Sequence, residues 1–247
     1  MVGVQGSTGG QHILARWVDQ SELYGAHIVS SFCRQIDTVK QGVDLGAGHG
    51  RDLGILKSIH PSATTWGIEC APSPSLEAVA DHLLTLDLER DSLPFEKESV
   101  DLVIANQLLE HTKEIFWIFH EISRILTVGG HLIVGVPNIA SFHNRILLLL
   151  GQHPTQWKSY SAHVRIFSKA DTLKLLSVCF PKGYELADFQ GSQFYPLPTK
   201  LARLACLVMP TGAFSIFFLL KKCRPYCQEF LEHPPRACLE TNFYLGS

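Results

Sequence analysis

The sequence predicts an α/β fold built on a doubly wound, mostly parallel sheet. Between residues 43 and 138, short apolar runs alternate with helix-compatible stretches, which is typical of βαβ units. The runs at 100–105 and 131–136 are apolar on both alternating faces, as a sheet covered by helices on both sides requires. A glycine-rich turn follows the first apolar run.

The elements follow in order along the chain. Residues 1–40 form an N-terminal segment with helix-compatible stretches, and the sheet domain begins at residue 41. The pattern then predicts a strand over 43–45, a helix over 51–59 that ends before Pro61, a strand over 64–70, a short helix over 75–82 and a strand over 83–88.

The second half of the pattern completes the central sheet and adds an insertion. It predicts strands over 100–107 and 131–138, separated by a helix over 113–126 that Gly129 and Gly130 end. An irregular stretch over 139–167 follows, then a helix over 168–180 with Ser168 as its N-cap and late strands over 183–190 and 214–222. The domain therefore spans 41–222, with insertions at about 139–170 and 191–213, and residues 223–247 form a tail without an assigned role.

Composition excludes several classes of protein. The chain has 247 residues and a formal net charge of −2, with 21 basic and 23 acidic side chains. No basic field is available for a long nucleic acid. Seven cysteines make an odd number, which argues against a disulfide scaffold. The first residues lack the pattern of a signal peptide, so we expect a reducing, cytoplasmic setting.

Two apolar stretches bear on membrane contact. Residues 201–220 have the length of a membrane span, but Arg203, Pro210 and Gly212 interrupt them. An amphipathic helix, a turn and a buried strand fit that pattern better. Residues 145–151 form a short apolar run that suits a lid or core helix, with peripheral contact to a membrane as the alternative.

The turn over 43–54 predicts a ligand close to the backbone. A strand, a glycine turn and a helix N-terminus together present free N–H groups to a nucleotide or nucleoside. The glycines follow a G-x-G-x-G spacing at 46, 48 and 50, and Arg51 stands where a dinucleotide fingerprint has its third glycine. This spacing disfavours a pyrophosphate ligand.

Acidic and amide side chains follow the predicted strands. Glu69 lies 21 residues after Gly48, where a carboxylate can accept hydrogen bonds from a ribose diol. Asp44, Asp87 and Asn106 lie at the ends of the first, third and fourth strands. Asp87 could accept a hydrogen bond from an adenine amine, or it could form a turn.

These motifs together resemble the class I S-adenosylmethionine-dependent methyltransferases. The matching stretches are VDLGAGHG at 43–50, GIEC at 67–70, residues 86–111 and residues 121–138, in the order and spacing of that family. The resemblance implies a Rossmann-like methyltransferase fold, S-adenosyl-L-methionine as cofactor, and the following roles. Asp44, Gly46, Ala47, Gly48 and Gly50 approach the methionine portion, Glu69 holds the ribose, Asp87 and Leu88 border the adenine, and Asn106 and Gln107 line the methionine end.

The stretch from 136 to 176 narrows the resemblance to small-molecule enzymes. It is similar to ubiquinone-type, methionine-biosynthesis-type and glycan-associated methyltransferases, in which the insertion after the fifth strand forms part of the acceptor pocket. His111 and His163 are the candidate bases, and Arg165 and Tyr160 are candidate acceptor contacts.

We expect no metal ion in this site. Some ubiquinone-type enzymes bind a divalent cation through a Glu-x-x-Glu-His pattern, whereas this chain has Gln107, Glu110 and His111. An amide in place of the first carboxylate weakens a site for a hard cation. The tail residues Cys223, Cys227, His233 and Cys238 do not have the spacing of a known zinc module.

The sequence therefore predicts transfer of a methyl group to a small molecule, most simply to an oxygen of a sugar, a lipid-linked compound or a quinone-like compound. Two alternatives stay open, an NAD-dependent oxidoreductase and a non-catalytic scaffold that binds S-adenosylmethionine. The sequence leaves the oligomeric state open.

Overall fold

Seven strands form one sheet in a computed structural model, which describes residues 25–239 and 242–246. The strands are β1 (Gln41–Leu45), β2 (Thr64–Ile68), β3 (His82–Leu84), β4 (Val100–Asn106), β5 (Leu126–Pro137), β6 (Tyr184–Ser192) and β7 (Ser215–Lys222). Their order across the sheet is β3-β2-β1-β4-β5-β7-β6. Strands β1 to β5 pair in parallel, and β7 runs antiparallel to both of its neighbours. The predicted doubly wound, mostly parallel sheet is confirmed.

Eight α-helices are described around the sheet. They are α1 (Ala26–Cys33), α2 (Arg51–Ile59), α3 (Pro74–Glu77), α4 (Ile115–Ile125), α5 (Phe142–Leu149), α6 (Lys169–Cys179), α7 (Thr199–Val208) and α8 (Glu229–Arg236). Helices α1, α2 and α3 bury apolar residues in a core on one face of the sheet, and α4, α6 and α8 do so on the other. In β7, Phe217 contributes to the first core and Phe218 to the second, because successive side chains of a strand point to opposite faces.

The apolar stretch over 201–220 folds as the interrupted pattern predicts. Helix α7 ends at Val208, a 3-10 turn follows at Pro210–Gly212, and β7 then runs as a largely buried strand between β5 and β6. Within the described ranges, no helix combines the length and the apolar character needed to cross a membrane.

Three predicted boundaries are wrong by more than two residues. Helix α3 ends at Glu77 rather than at residue 82. Strand β3 ends at Leu84 rather than at residue 88, because Asp87 forms a turn in which its carboxylate accepts from the Glu89 N–H and its carbonyl from the Asp91 N–H. Strand β5 begins at Leu126 rather than at residue 131, and it contains Gly129 instead of following it. The pairing of β5 with β4 is irregular there, because Val100 pairs with Leu126 and Leu102 with His131, so β5 has the additional residues between the two pairs.

The residues after β7 pack on the main core. Tyr226 and Phe230 are 2% and 0% exposed, and the Phe230 ring stacks on Phe119 with 5.3 Å between centroids. Phe230 lies in α8 and Tyr226 just before it, and α8 packs on α4 and α6. At the other end of the chain, α1 lies within the predicted N-terminal helical segment, and residues 1–24 of that segment lie outside the described residues.

Candidate active site

The carboxyl ends of β1, β2 and β4 meet where the strand order reverses, and we call this region the crevice. Strand β1 pairs with β2 on one side and with β4 on the other, and in open α/β sheets this switch point is where ligands bind. The turn that leaves β1 is held to β2, since the N–H groups of Gly46 and Ala47 both donate to the Ile68 carbonyl, at 2.9 and 3.1 Å.

The geometry of this turn requires glycine. Gly46, Gly48 and Gly50 have φ values of 69°, 54° and 81°, in the left-handed region that other residues rarely adopt. A Cβ at Gly46 would lie 3.0 Å from the Leu108 side chain, whereas a Cβ at Gly48 would meet nothing nearer than 4.0 Å. The turn therefore offers open backbone at Gly48, beside the start of α2.

Glu69 and Gly48, 21 residues apart in the sequence, are in contact. One carboxylate oxygen of Glu69 accepts from the Gly48 N–H at 2.9 Å, and the other accepts from the Cys70 N–H at 2.9 Å. The two bonds fix the carboxylate just past the end of β2. A diol placed over the turn would meet a preorganised acceptor.

Asp44 places a buried carboxylate beneath the turn. It is 3% exposed, and burial, followed by the nearby Asp52 carboxylate, raises the pKa of Asp44 well above its usual range, while Arg51 opposes the shift. A group in this state favours a cationic ligand, because a positive charge would stabilise its ionised form.

Asp52 joins the first turn of α2 to the end of β4, a contact that the sequence reasoning missed. Its carboxylate accepts from the Arg51 guanidinium at 2.7 and 2.9 Å and from the Asn106 amide at 2.8 Å. The signal was available in the sequence, since an acidic residue in the first turn of a helix is favoured there by the helix dipole.

The end of β4 brings two amides to the crevice. A Cβ at Gly135 would lie 2.2 Å from Oδ1 of Asn106, so the glycine in β5 leaves space for this side chain. Gln107 has a φ of 57°, and its Nε2 is buried without a hydrogen-bond partner in the described part of the chain. A buried donor of this kind is costly unless a ligand satisfies it. The residues present therefore fit a nucleoside that carries an amino acid portion.

Asp87 and Leu88 lie at the far edge of the crevice. Asp87 is exposed, three residues beyond β3, and Oδ1 of its side chain accepts from the Glu89 N–H at 3.0 Å. Leu88 is partly buried against the main core. The structure thus gives Asp87 the turn-forming geometry that the sequence left open, and it places an apolar side chain next to it.

A second group of side chains forms beside the crevice, on the 3-10 turn Leu109–His111. The Glu110 carbonyl accepts from the N–H groups of Val164 and Arg165, at 2.8 and 3.2 Å. These bonds bring the insertion back to the sheet and place the His111 and His163 rings 4.8 Å apart, edge to face. The two histidines, 52 positions apart in the sequence, therefore meet as a pair.

The Glu110 side chain lies under this histidine pair. It is 1% exposed, its Oε2 has no hydrogen-bond partner in the described residues, and burial raises its pKa to about 7. Burial, followed by the charge on His111, lowers the pKa of His163. A neutral imidazole at ordinary pH can accept a proton.

Glu110, His111 and His163 are also the described residues that could hold a metal ion. One ligand atom from each lies within 4.8 Å of the others, and two imidazoles with one carboxylate form a donor set that suits a borderline cation such as zinc. Gln107, whose amide led us to expect no metal, does not take part in this group.

Arg165 and Tyr160 take positions other than those of an enclosed acceptor contact. The Arg165 guanidinium donates to the Thr112 carbonyl at 3.1 Å and to the Lys113 carbonyl, so it supports the loop that carries His163. Tyr160 is 84% exposed. A cavity of about 420 Å³ lies behind the returning segment, lined in part by Phe116, Ile166, Leu175 and His233.

Known proteins were compared with this chain. Residues 43–134 match a protein family described as a methyltransferase domain. An uncharacterized 37.1 kDa protein of a Streptomyces fradiae transposon is 30% identical over 105 residues, which is 40% of this chain and 30% of that protein. The match to an uncharacterized Methanocaldococcus jannaschii protein spans 58% of its length. The chain thus covers less than two thirds of either curated relative.

Solved structures share the fold. The Haloferax volcanii complex between the Trm112 methyltransferase activator and a putative methyltransferase matches with a TM-score of 0.61 and 18% identity, over 88% of this chain and 97% of that one. The Burkholderia thailandensis 1,6-didemethyltoxoflavin-N1-methyltransferase, crystallised with its substrate and S-adenosylhomocysteine, matches with a TM-score of 0.57 and 12% identity, over 90% and 94% of the two chains. At these identities the likeness shows the fold alone.

Proposed function

We propose that this chain is a class I S-adenosylmethionine-dependent methyltransferase, and that it transfers the cofactor's methyl group to an oxygen of a small, apolar acceptor. The match of residues 43–134 to a methyltransferase domain and the order of the strands support this proposal. The observation that carries the proposal is the convergence of the glycine turn, Glu69 and the His111–His163 pair at one end of the sheet. When bound, S-adenosylmethionine supplies a methyl group that its sulfonium has already activated.

The cofactor is assigned to the crevice. In this proposal, Glu69 accepts hydrogen bonds from the ribose hydroxyls while Gly46, Ala47, Gly48 and Gly50 leave the backbone open to the ligand. Asp44, Asn106 and Gln107 face the methionine end, and Asp87 and Leu88 border the adenine. The buried Asp44 carboxylate and the free Gln107 amide donor support this orientation, since an amino acid portion offers both a cation and a carboxylate.

His163 acts as the general base in this proposal. Methyl transfer to a neutral hydroxyl requires removal of its proton. The lowered pKa of His163 shifts the protonation equilibrium of its imidazole toward the neutral form, which accepts a proton. His111, in edge-to-face contact with it, fixes the ring, and Arg165 holds the loop in place. His163 would take the proton from the acceptor hydroxyl and hold it on its imidazole, and the bound cofactor would supply the methyl group.

The two insertions favour a lipid-linked or quinone-like acceptor over a sugar. Their exposed side chains include Phe142, Leu149 and Tyr160, which are 42%, 86% and 84% exposed. Apolar and aromatic side chains at the surface of an insertion suit an apolar ligand better than a sugar. Two of the solved structures with the same fold are an N-methyltransferase of 1,6-didemethyltoxoflavin and an O-methyltransferase of a polyketide synthase, both crystallised with S-adenosylhomocysteine.

The test is transfer of labelled methyl from S-adenosylmethionine into separated lipid and polar small-molecule fractions, with a chelator present. We expect label in an organic-soluble product, formed without added metal. Label only in the polar fraction would overturn the apolar acceptor. If the chelator abolishes methyl transfer and added zinc or magnesium restores it, the proposal that His163 acts as a base without a metal ion is wrong.

Experiments on the same purified protein also test the two alternative functions, an oxidoreductase and a non-catalytic scaffold. Thermal unfolding with S-adenosylhomocysteine or NADH reports which nucleoside binds, and stabilisation by NADH alone would favour an oxidoreductase. Tight binding of S-adenosylhomocysteine with no labelled product in either fraction would favour a non-catalytic scaffold.

A further inference from the structure

The two insertions of the fold meet at one edge of the sheet. The Asn138 amide donates to the carbonyls of Thr211 and Ala213, at 2.9 and 2.8 Å, and the Phe142 and Phe194 rings stack with 5.9 Å between centroids. Helix α5 in the first insertion therefore lies beside the segment that leads into α7 in the second. The two helices share one side of the molecule.

The outward faces of α5 and α7 are aliphatic. In α7, Ala202 and Cys206 are buried, whereas the residues on the opposite side of the helix are exposed. We call the exposed aliphatic residues of the two helices the leucine surface: Ile146 (43%), Leu148 (54%), Leu149 (86%) and Leu150 (68%) from α5 and its C-cap, and Leu201 (54%), Leu204 (59%), Leu207 (81%) and Val208 (81%) from α7. Apolar exposure on this scale marks a binding surface.

The Lys and Arg side chains of the same two insertions are not balanced by any Asp or Glu in them. No acidic residue lies between Glu121 and Asp171 or between Asp188 and Glu229, although the whole chain has a net charge of −2. The insertions at 139–170 and 191–213 contain six basic residues, at Arg145, Lys158, Arg165, Lys169, Lys200 and Arg203. Trp157 and Tyr160, 40% and 84% exposed, add the aromatic types that are enriched at membrane interfaces.

We propose that the leucine surface docks on an anionic lipid bilayer. The leucines enter the boundary between headgroups and acyl chains, and the exposed Lys158, Lys200 and Arg145 lie among anionic headgroups. Helices α5 and α7 have 8 and 10 residues, so they lie in the interface rather than cross the membrane. A second copy of the chain is disfavoured as the occupant, because a symmetric contact would bring like charges together.

Docking would bring the carboxyl end of β5 near the membrane, since Asn138, which directly follows β5, bonds to the segment between α7 and β7. An apolar acceptor dissolved in the bilayer could then reach the site. The inference does not rest on the proposed reaction, because vesicle binding is measured without cofactor or acceptor.

The experiment is co-sedimentation of the full chain with vesicles. We expect strong binding to an equal mixture of phosphatidylserine and phosphatidylcholine, weaker binding to phosphatidylcholine alone, and loss of the difference at high salt. The double variant Leu149→Ser/Leu207→Ser should bind mixed vesicles at least about tenfold more weakly. Lys158→Gln/Lys200→Gln should weaken binding to mixed vesicles and leave binding to phosphatidylcholine unchanged.

The matched control removes two exposed valines elsewhere. Val128 and Val178 are 45% and 50% exposed and lie outside both insertions, and Val128→Ser/Val178→Ser should bind vesicles like the wild type. Thermal unfolding of each variant reports that it is folded. Absence of vesicle binding by the wild type, or equal loss in the control, would overturn the proposal. A dimer in sedimentation velocity that Leu149→Ser/Leu207→Ser abolishes, without vesicle binding, would assign the surface to a second copy instead.

Discussion

At the scale of single residues, Asp44 combines a stability cost with a binding role. Its pKa is raised in the folded chain, so the folded state holds this proton to a higher pH than the unfolded chain does, and ionisation at neutral pH lowers the free energy of unfolding. Asp44→Asn should therefore increase stability to urea at pH 8 and have no such effect below the unfolded pKa of about 4.

The same variant should bind S-adenosylhomocysteine at least about tenfold more weakly in calorimetry, because it lacks the charge that we assign to the ligand's amino group. A variant that is less stable than the wild type and binds equally well would contradict this role for Asp44.

Glu110 should also make the free energy of unfolding depend on pH, and the size of this effect follows from its pKa. Its pKa rises from 4.5 to about 7 on folding because the carboxylate is buried. The folded state therefore binds more protons than the unfolded chain between these two values, and stability falls as the pH rises through this window. At pH 8, Glu110→Gln should be more stable than the wild type by about 3 kcal/mol, at 1.36 kcal/mol for each pKa unit.

The measurement is urea unfolding of both proteins from pH 4 to pH 8 with a chelator present. The two stability curves should converge near pH 4 and separate above it. A constant difference across this range would show that Glu110 acts through packing rather than through its charge.

His163 is the residue on which the proposed chemistry depends. His163→Asn should lower the rate of methyl transfer by about 10²-fold or more, without changing the affinity for S-adenosylhomocysteine. In the wild type, the rate should fall on the acid side at a pH below the ordinary histidine value of about 6.5, since burial lowers the pKa of His163. The variant should lose this acid limb.

His153 provides the control, because it is exposed in the same insertion and lies outside the His111–His163 pair. His153→Asn should keep the full rate. A normal rate in His163→Asn, or an equal loss in both variants, would remove His163 from the reaction.

At the scale of elements, periodicity located the strands and helices well, and local contacts decided their ends. Strands at 43–45, 64–70 and 214–222 were predictable because each is a short apolar run with turn residues beside it. The early end of β3 depends on the Asp87 turn, and the early start of β5 depends on pairing between Leu126 and Val100. Neither contact produces a periodic pattern of apolar residues in the sequence.

The candidate site was predictable only where spacing carries information. The distance between Gly48 and Glu69 follows from the length of a βα unit, and the structure brings these two residues into hydrogen-bond contact. The contact between Asp52 and Asn106 could not be predicted, because it depends on how α2 packs beside β4. The backbone acceptors of Arg165 could not be predicted either, because they depend on how an insertion returns to the sheet.

The side chain of Asn138 joins the two insertions through hydrogen bonds and is 1% exposed. Asn138→Ala would leave two carbonyls and the Ala140 N–H without their partner, and it should lower the free energy of unfolding by about 2–3 kcal/mol. Hydrogen exchange should accelerate over 139–167 and 191–213 and stay slow in β1 and β4. Uniform acceleration across the sheet would contradict a local junction.

At the scale of the whole molecule, charge separates two sides of one site. Acidic side chains, Asp44, Asp52 and Glu69, surround the cofactor crevice, while the insertions beside it contain only basic charge. In the proposed function, a cationic nucleoside binds on the acidic side, and an apolar acceptor approaches from the side of the basic insertions.

The central claim is that the turn at 46–50 and Glu69 together bind the nucleoside of S-adenosylmethionine, and calorimetry with S-adenosylhomocysteine tests it most directly. We expect the wild type to bind, Glu69→Ala to bind about a hundredfold more weakly through loss of two charge-assisted hydrogen bonds, and Glu77→Ala, which removes an exposed carboxylate from α3, to bind like the wild type. No heat with the wild type, or equal affinity for Glu69→Ala and the wild type, would contradict the account.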